Sequence, residues 1–391
     1  RQRCLSAVPS GRSLSPVEVR GGPQGGPGRP PPSPRRAPRW PPEVLRFLEA
    51  DGAAAAPVGG QPLESASPSG SGWRLAAGAC KIPHPAKAER NGGDDGFFIA
   101  EGGLAVGVAD GVGDWERLAV DPGAVASELM RGAADASRRL GGPGAAGPRK
   151  HAAELLRHGY ADLRSYGGTT AAIAVLSDQG GHIGVANVGD SGLRQIRREP
   201  GGGARVVART REQQHCFNCP FQLSSLPSEA DVERLSAEGF DALVEAVQAG
   251  ILLQDPPSAA ELYSFSAEEG DLIVLATDGL YDNLWDSELC ELAALAASPL
   301  EAQQAYCEAR AALRGPAPST DPGKLAAAIA HAAFYRARDP AASTPFQEHA
   351  REHGLVHAGG KMDDITVVCA WVVRSRPPSG TGPAAEGAAG P

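Results

Sequence analysis

The chain has 391 residues, of which 42% are hydrophobic, enough to fill a sizeable core without metal or disulfide staples. Its formal net charge of -9 removes the positive field that binding nucleic acid or an anionic membrane surface would need, and neither is expected as a partner. Seven cysteines without regular spacing exclude a disulfide framework and favour a reducing compartment, and no run approaches the roughly 18 apolar residues of a membrane span, so a soluble protein is expected.

Residues 1–72 are dominated by Pro, Gly, Ser and Arg, and Glu18 is the sole acid among the first 42 residues. Such a stretch has too little apolar surface to fold alone, and its Arg-rich, acid-poor character predicts an organellar transit segment, with a plain disordered linker in the cytoplasm as the alternative. Residues 375–391, "SRPPSGTGPAAEGAAGP", read as a second disordered end.

Between these ends, "FFIAEGGLAVGVAD", "TTAAIAVLSD", "HIGVANVGD", "DLIVLATDG" and "DITVVCAWVV" are apolar runs of strand length or strand pairs, bounded by Gly, Asp or Asn. "DPGAVASELMRGAADASRRL" predicts a helix capped by Asp121 with Pro122 at its first position and Val125, Leu129 and Ala133 on one face. "KHAAELLRHGYADLRS", "DSELCELAALAA" and "DPGKLAAAIAHAAFYRAR" read as further helices. Strands and helices do not alternate strictly, which argues for an α+β domain with helices outside an antiparallel sandwich rather than a doubly wound parallel sheet. The sequence lacks a G-x-x-x-x-G-K-[ST] phosphate loop. The C-x-x-C of Cys216 and Cys219 lacks the second pair a zinc knuckle needs and is read as two small loop side chains.

Carboxylates recur at the ends of these runs: Asp94 and Asp95 in "GGDDGFF", Asp110 in "VADG", Asp190 in "NVGDSG", Asp278 in "LATDGLYDN", and Asp363 with Asp364 in "GGKMDDITVV". One Asp-Gly pair is an ordinary turn, but so many acids beside buried strands would repel one another unless something positive sat among them. Hard oxygen donors without a His or Cys cluster select Mg²⁺ or Mn²⁺, and the glycine after Asp110 lets the backbone approach such a site.

The order "GDD", "VADGVG", "GGTT", "ANVGDSG", "LATDGLYDN", "DDITVV" resembles the type 2C (PPM-type) metal-dependent Ser/Thr protein phosphatases over roughly residues 73–374. "EQQHCFNCPFQLS", residues 212–224, is similar to the organellar subgroup, mitochondrial or chloroplast. The resemblance implies a four-layer α-β-β-α sandwich of two antiparallel sheets, with two Mn²⁺ or Mg²⁺ ions and a weaker third at one end. It assigns Asp95, Asp110, Gly111 through its carbonyl, Asp278 and Asp363 as metal ligands, with Asp110 and Asp278 central to catalysis. Asp94 stands where many members have Glu and is assigned to the metal set as a shorter arm that reaches a metal through water, Asp190 matches the third-metal position, and Asp282 and Asp364 are implied to hold metal-bound waters. Arg90 has the spacing of a phosphate-gripping arginine. The implied reaction is hydrolysis of phosphoserine and phosphothreonine in a phosphoprotein by a metal-activated water; the sequence leaves the oligomeric state open, with a monomer the expectation. The alternatives are a metabolite phosphohydrolase, which a pocket closed by residues 225–262 would favour, and a pseudophosphatase binding module. Family members commonly have His after the Asp-Gly as a candidate general acid. Val112 stands there in this chain, so a steep dependence on the leaving group is expected.

Overall fold

The computed structural model describes residues 40–48, 72–200, 202–296 and 321–374. In chain order the strands are β1 (Trp73–Ile82), β2 (Asp95–Ile99), β3 (Ala105–Asp110), β4 (Gly167–Thr169), β5 (Ala171–Leu176), β6 (His182–Val188), β7 (Gly192–Arg198), β8 (Ala204–Arg209), β9 (Gln214–Cys216), β10 (Cys219–Pro220), β11 (Leu223–Ser225), β12 (Glu261–Ser266), β13 (Leu272–Ala276) and β14 (Ile365–Arg374). The helices are α1 (Pro42–Leu45), α2 (Pro122–Leu140), α3 (Pro148–Ala161), α4 (Glu229–Ala237), α5 (Asp241–Gln248), α6 (Asp278–Tyr281), α7 (Asp286–Leu295), α8 (Pro322–Ala337) and α9 (Pro345–Glu352).

Two five-stranded antiparallel sheets, ordered β1-β14-β13-β7-β8 and β12-β6-β5-β3-β2, pack face to face. Because helices cover the outer faces, the central strands are apolar on both sides and their sequences run almost without polar breaks. In β14, Val368, Ala370 and Val372 fill the space between the sheets, while Val367, Cys369 and Trp371 face α7 and α8. In β5, Ala172, Ala174 and Leu176 point inward, and Ala171, Ile173 and Val175 meet α2 and α3. The result is the α-β-β-α sandwich that the strand and helix order predicts.

Asp121 caps α2 by accepting from the Gly123 amide at 3.0 Å, and Val125, Leu129 and Ala133 on its inner face are fully buried. Beyond the expected runs, the sheets recruit β1, β7, β8 and β12. Arg194 and Arg197 break the apolar pattern of β7 and are matched by Asp286 at 2.8 Å and Asp271 at 2.7 Å. Among the described residues no helix is long and apolar enough to cross a membrane.

The N-terminal segment departs from the sequence reading at residues 40–48. Helix α1 and the 3₁₀ turn Arg46–Leu48 lay Val44 and Leu48, both buried, into the core beside α8, and Phe47 stacks on His331 with ring centroids 4.7 Å apart. The low apolar content of residues 1–72 as a whole hid this short "WPPEVLRFL" face. The remainder of that segment, with its expected transit character, and the tail 375–391 lie outside the described residues.

Candidate functional site

Antiparallel order brings the acidic strand ends together. The ends of β3, β6 and β13 and the starts of β2, β5, β7 and β14 are register neighbours at one end of the sandwich. Asp95 and Asp110 face each other directly across the β2–β3 ladder. Asp190 lies in the β6–β7 turn, Asp278 follows β13, and Asp363 and Asp364 precede β14. The Thr277 hydroxyl donates to Asp95 Oδ2 at 2.9 Å, joining the two sheets at this end. The glycines after Asp110 and Asp278 are demanded by close backbone approach: a Cβ on Gly111 would strike Pro122 and the Asp94 carbonyl, and one on Gly279 would strike the Asp364 carbonyl.

The cluster carries more negative charge than the cations within it offset. Burial, and then the charges of Asp278, Asp95, Asp363 and Asp190, hold the Asp110 carboxyl well above its ordinary range. Burial and Asp364 push Asp95 up to about 8, burial and Asp278 raise Asp190, and burial raises Asp363 and takes Asp282 to about 8. Asp278 alone among these is lowered. Burial opposes its charge most strongly of any one cause, but the Lys361 ammonium and the hydrogen bonds with Lys361, Asp110 and Asp282 together outweigh it.

Lys361 is a member of the site that the motif reading missed. Its Nζ lies 2.6 Å from Asp278 Oδ2, 2.7 Å from Asp282 Oδ2 and 3.2 Å from Asp363 Oδ2. Asn283 fixes its backbone from both sides, donating to the Lys361 carbonyl at 2.8 Å and accepting from its amide at 3.0 Å. Lys87 was also missed. It bridges Asp94 at 2.5 Å and Asp364 at 2.9 Å. Asp364 further accepts from the His84 amide at 2.7 Å and the Asp94 amide at 3.1 Å, so in this structure it ties down the Asp94 loop. The available signal was the lysine directly preceding "MDD" and the one three residues before Arg90.

Arg90 stands at the rim, 56% exposed, with its guanidinium on Glu116. Val112, at the position where the resemblance led us to look for a proton donor, packs instead against the apolar cluster of Trp115, Leu118, Leu235 and Leu243. That cluster seats α4 and α5, so residues 225–262 are anchored on the Gly113–Leu118 turn.

Whether divalent cations fit can be judged from the oxygens. Among the described residues no three acidic, His or Cys side chains form a ready-made shell, since Lys361 sits where Asp278, Asp282 and Asp363 converge. Yet Oδ1 of Asp95, of Asp190 and of Asp278 are each buried without a hydrogen-bond partner. Buried acceptors are normally satisfied, yet Lys361 pairs with only Asp278, Asp282 and Asp363 and leaves Asp95, Asp110 and Asp190 without an ion pair among the described residues. The donor set is all hard oxygen and suits Mn²⁺ or Mg²⁺.

No family model matches the chain. It is 37% identical over 287 residues to the protein phosphatase PTC7 homolog of Danio rerio, a match covering 72% of this chain and 81% of that protein. The protein phosphatase PTC7 homolog of Homo sapiens is 36% identical over 288 residues, covering 72% and 79%. The chain belongs to the protein phosphatase 2C family. It is also 33% identical over 303 residues to the probable protein phosphatase 2C 55 of Arabidopsis thaliana, covering 78% of this chain, and it spans only 53% of that relative and 59% of the probable protein phosphatase 2C 80. Among solved structures, the photosystem II phosphatase PBCP superposes with a TM-score of 0.56 at 29% identity, covering 76% of this chain and 98% of that one. The four-layer architecture is thus that of a type 2C phosphatase.

Proposed function

We propose that this type 2C phosphatase hydrolyses phosphoserine and phosphothreonine in proteins, using two Mn²⁺ or Mg²⁺ ions held by Asp95, Asp110, the Gly111 carbonyl, Asp278 and Asp363, with Asp190 holding a weaker third. The observation that carries this reading is the set of buried, unpartnered carboxylate oxygens on Asp95, Asp190 and Asp278 at one end of the sandwich. Cations bound there supply an activated water and neutralise phosphoryl oxygens. Asp110 is placed at the centre of the acidic set and fixed by its backbone, its carbonyl accepting from Thr169 Oγ1 at 2.9 Å. Asp282 and Asp364 lie one step outward, each already paired with a lysine, and orient what Asp278 and Asp94 hold. Arg90 grips a phosphoryl oxygen by exchanging its exposed pair with Glu116, a contact that costs little to give up.

The Arg-rich N-terminal composition and the relation to a photosystem II phosphatase support an organellar, phosphoprotein-directed role. The test is phosphate release from phosphoserine and phosphothreonine peptides by the whole chain with Mn²⁺, Mg²⁺ or EDTA. Release is expected with either cation and is abolished by EDTA; release from small phosphorylated metabolites alone would overturn the protein-substrate reading.

A further inference from the structure

Val112 leaves the departing serine oxygen without an obvious proton source, and a second group borders the site. His215, on β9, places Nε2 2.9 Å from Asp255 Oδ2, and its ring stacks on Phe221 with centroids 4.1 Å apart. Asp255 is itself fixed: its Oδ2 accepts from the Gln222 amide at 2.9 Å, and it bridges to Leu223. Leu223 pairs with Thr169, and Thr169 bridges to Gly111, so a short ladder ties the His215–Asp255 pair to the backbone of the acidic site.

His215 also lines a surface cavity of about 420 Å³ together with Glu212 and Gln214. Both neighbours belong to the edge of the acidic cluster. Gln214 donates to Asp190 Oδ2 at 3.4 Å, and the Glu212 charge is felt by Asp190 and Asp282. Through Gln214 the cavity borders the Asp190 edge of the acidic cluster, and the imidazole that lines it is oriented by a carboxylate, the arrangement that general acid catalysis uses.

We infer that His215, held by Asp255, donates the proton to the leaving serine or threonine oxygen, an inference that rests on the phosphatase reading above. Water attacks phosphorus and the bond between phosphorus and the side-chain oxygen breaks. His215 Nδ1 then gives its proton to that oxygen, releasing the hydroxyl, and the neutral imidazole regains a proton from solvent, which has taken the one lost by the attacking water. The titratable groups around it are Asp255, through the hydrogen bond, and those that share the cavity: Glu212 before β9, Cys216 on β9, His349 on α9 and His353 just after it.

The experiment compares a phosphoserine peptide with p-nitrophenyl phosphate, whose leaving group needs no proton, in the wild-type chain, His215→Ala and Asp255→Asn, all with Mn²⁺. The wild type should show a shallow dependence on leaving-group pKa, the reverse of what Val112 alone suggests. His215→Ala should lower kcat on the phosphoserine peptide by about 10²- to 10⁴-fold, leave aryl phosphate turnover little changed, and remove the alkaline limb of the phosphoserine pH profile. Asp255→Asn should fall between, because the hydrogen bond that orients the ring is weakened. Retained aryl turnover certifies the fold of each variant. Equal losses on both substrates, no loss on either, or a wild type already steep in leaving-group pKa would each overturn the assignment, the last pointing to Asp114 or solvent. A wild type that releases phosphate from neither substrate would overturn the phosphatase reading and this role with it.

Discussion

Asp110→Asn lowers Mn²⁺-dependent turnover by at least about 10²-fold, the size of a lost electrostatic group aimed at the transition state, and at the same time raises the melting temperature of the metal-free protein. The two effects have one cause. In the fold Asp110 is surrounded by Asp278, Asp95, Asp363 and Asp190, and burial adds to their repulsion, so its carboxyl ionises well above the ordinary range. A carboxyl raised in this way contributes stability that is present below its unfolded pKa and lost as pH rises through the folded value. At neutral pH, where the unfolded chain ionises it freely, this carboxyl is a cost to the metal-free fold, which a neutral amide removes. The same charge is what a divalent cation needs. Thermal melts with EDTA and with Mn²⁺, read beside turnover, check both: the wild type should gain more from Mn²⁺ than the variant does. Unchanged turnover with unchanged melts would remove Asp110 from the site.

The second large effect concerns the N-terminus. A chain that begins at Glu49 should be less stable than one that begins at Trp40. Val44 is fully buried and Leu48 nearly so, both in the core that α7, α8 and the outer face of β14 share. Two such side chains are worth about 1.5–3 kcal/mol each before the entropy of ordering the segment is subtracted. A net loss of about 2–4 kcal/mol is therefore expected, read as a lower denaturant midpoint at unchanged slope per residue removed. Equal midpoints for the two truncations would mean that the 40–48 segment rests on the core without stabilising it.

The legible parts of the fold were those where one physical requirement dominates a stretch of chain. Strands buried on both faces, β5, β6, β13 and β14, must be apolar nearly throughout, and they read as such. Helix α2 carried its own cap and a complete inner stripe. Strand β7 was obscured because its arginines satisfy partners far along the chain, Asp271 and Asp286, which no local pattern discloses. Strand β12, exposed over much of its length at a sheet edge, has no buried face strong enough to set a period. At the site, most of the acids were legible because they flank apolar runs, several of them beside a glycine. The cations were not: Lys87 and Lys361 look like ordinary loop lysines until the fold sets them against Asp94, Asp364, Asp278 and Asp282. Arg90 illustrates the converse, a residue singled out by spacing whose guanidinium rests on Glu116. Residues 212–224 marked a subgroup in sequence, but only the fold joins His215 to Asp255, 40 positions away.

The most direct measurement of the central claim is anomalous scattering from crystals of the whole chain grown with Mn²⁺. The account predicts manganese peaks among Asp95, Asp110, Asp278 and Asp363, with Lys361 Nζ drawn away from the carboxylate oxygens that the metal takes. Crystals without manganese at these residues, and with Lys361 still seated on Asp278, Asp282 and Asp363, would contradict it.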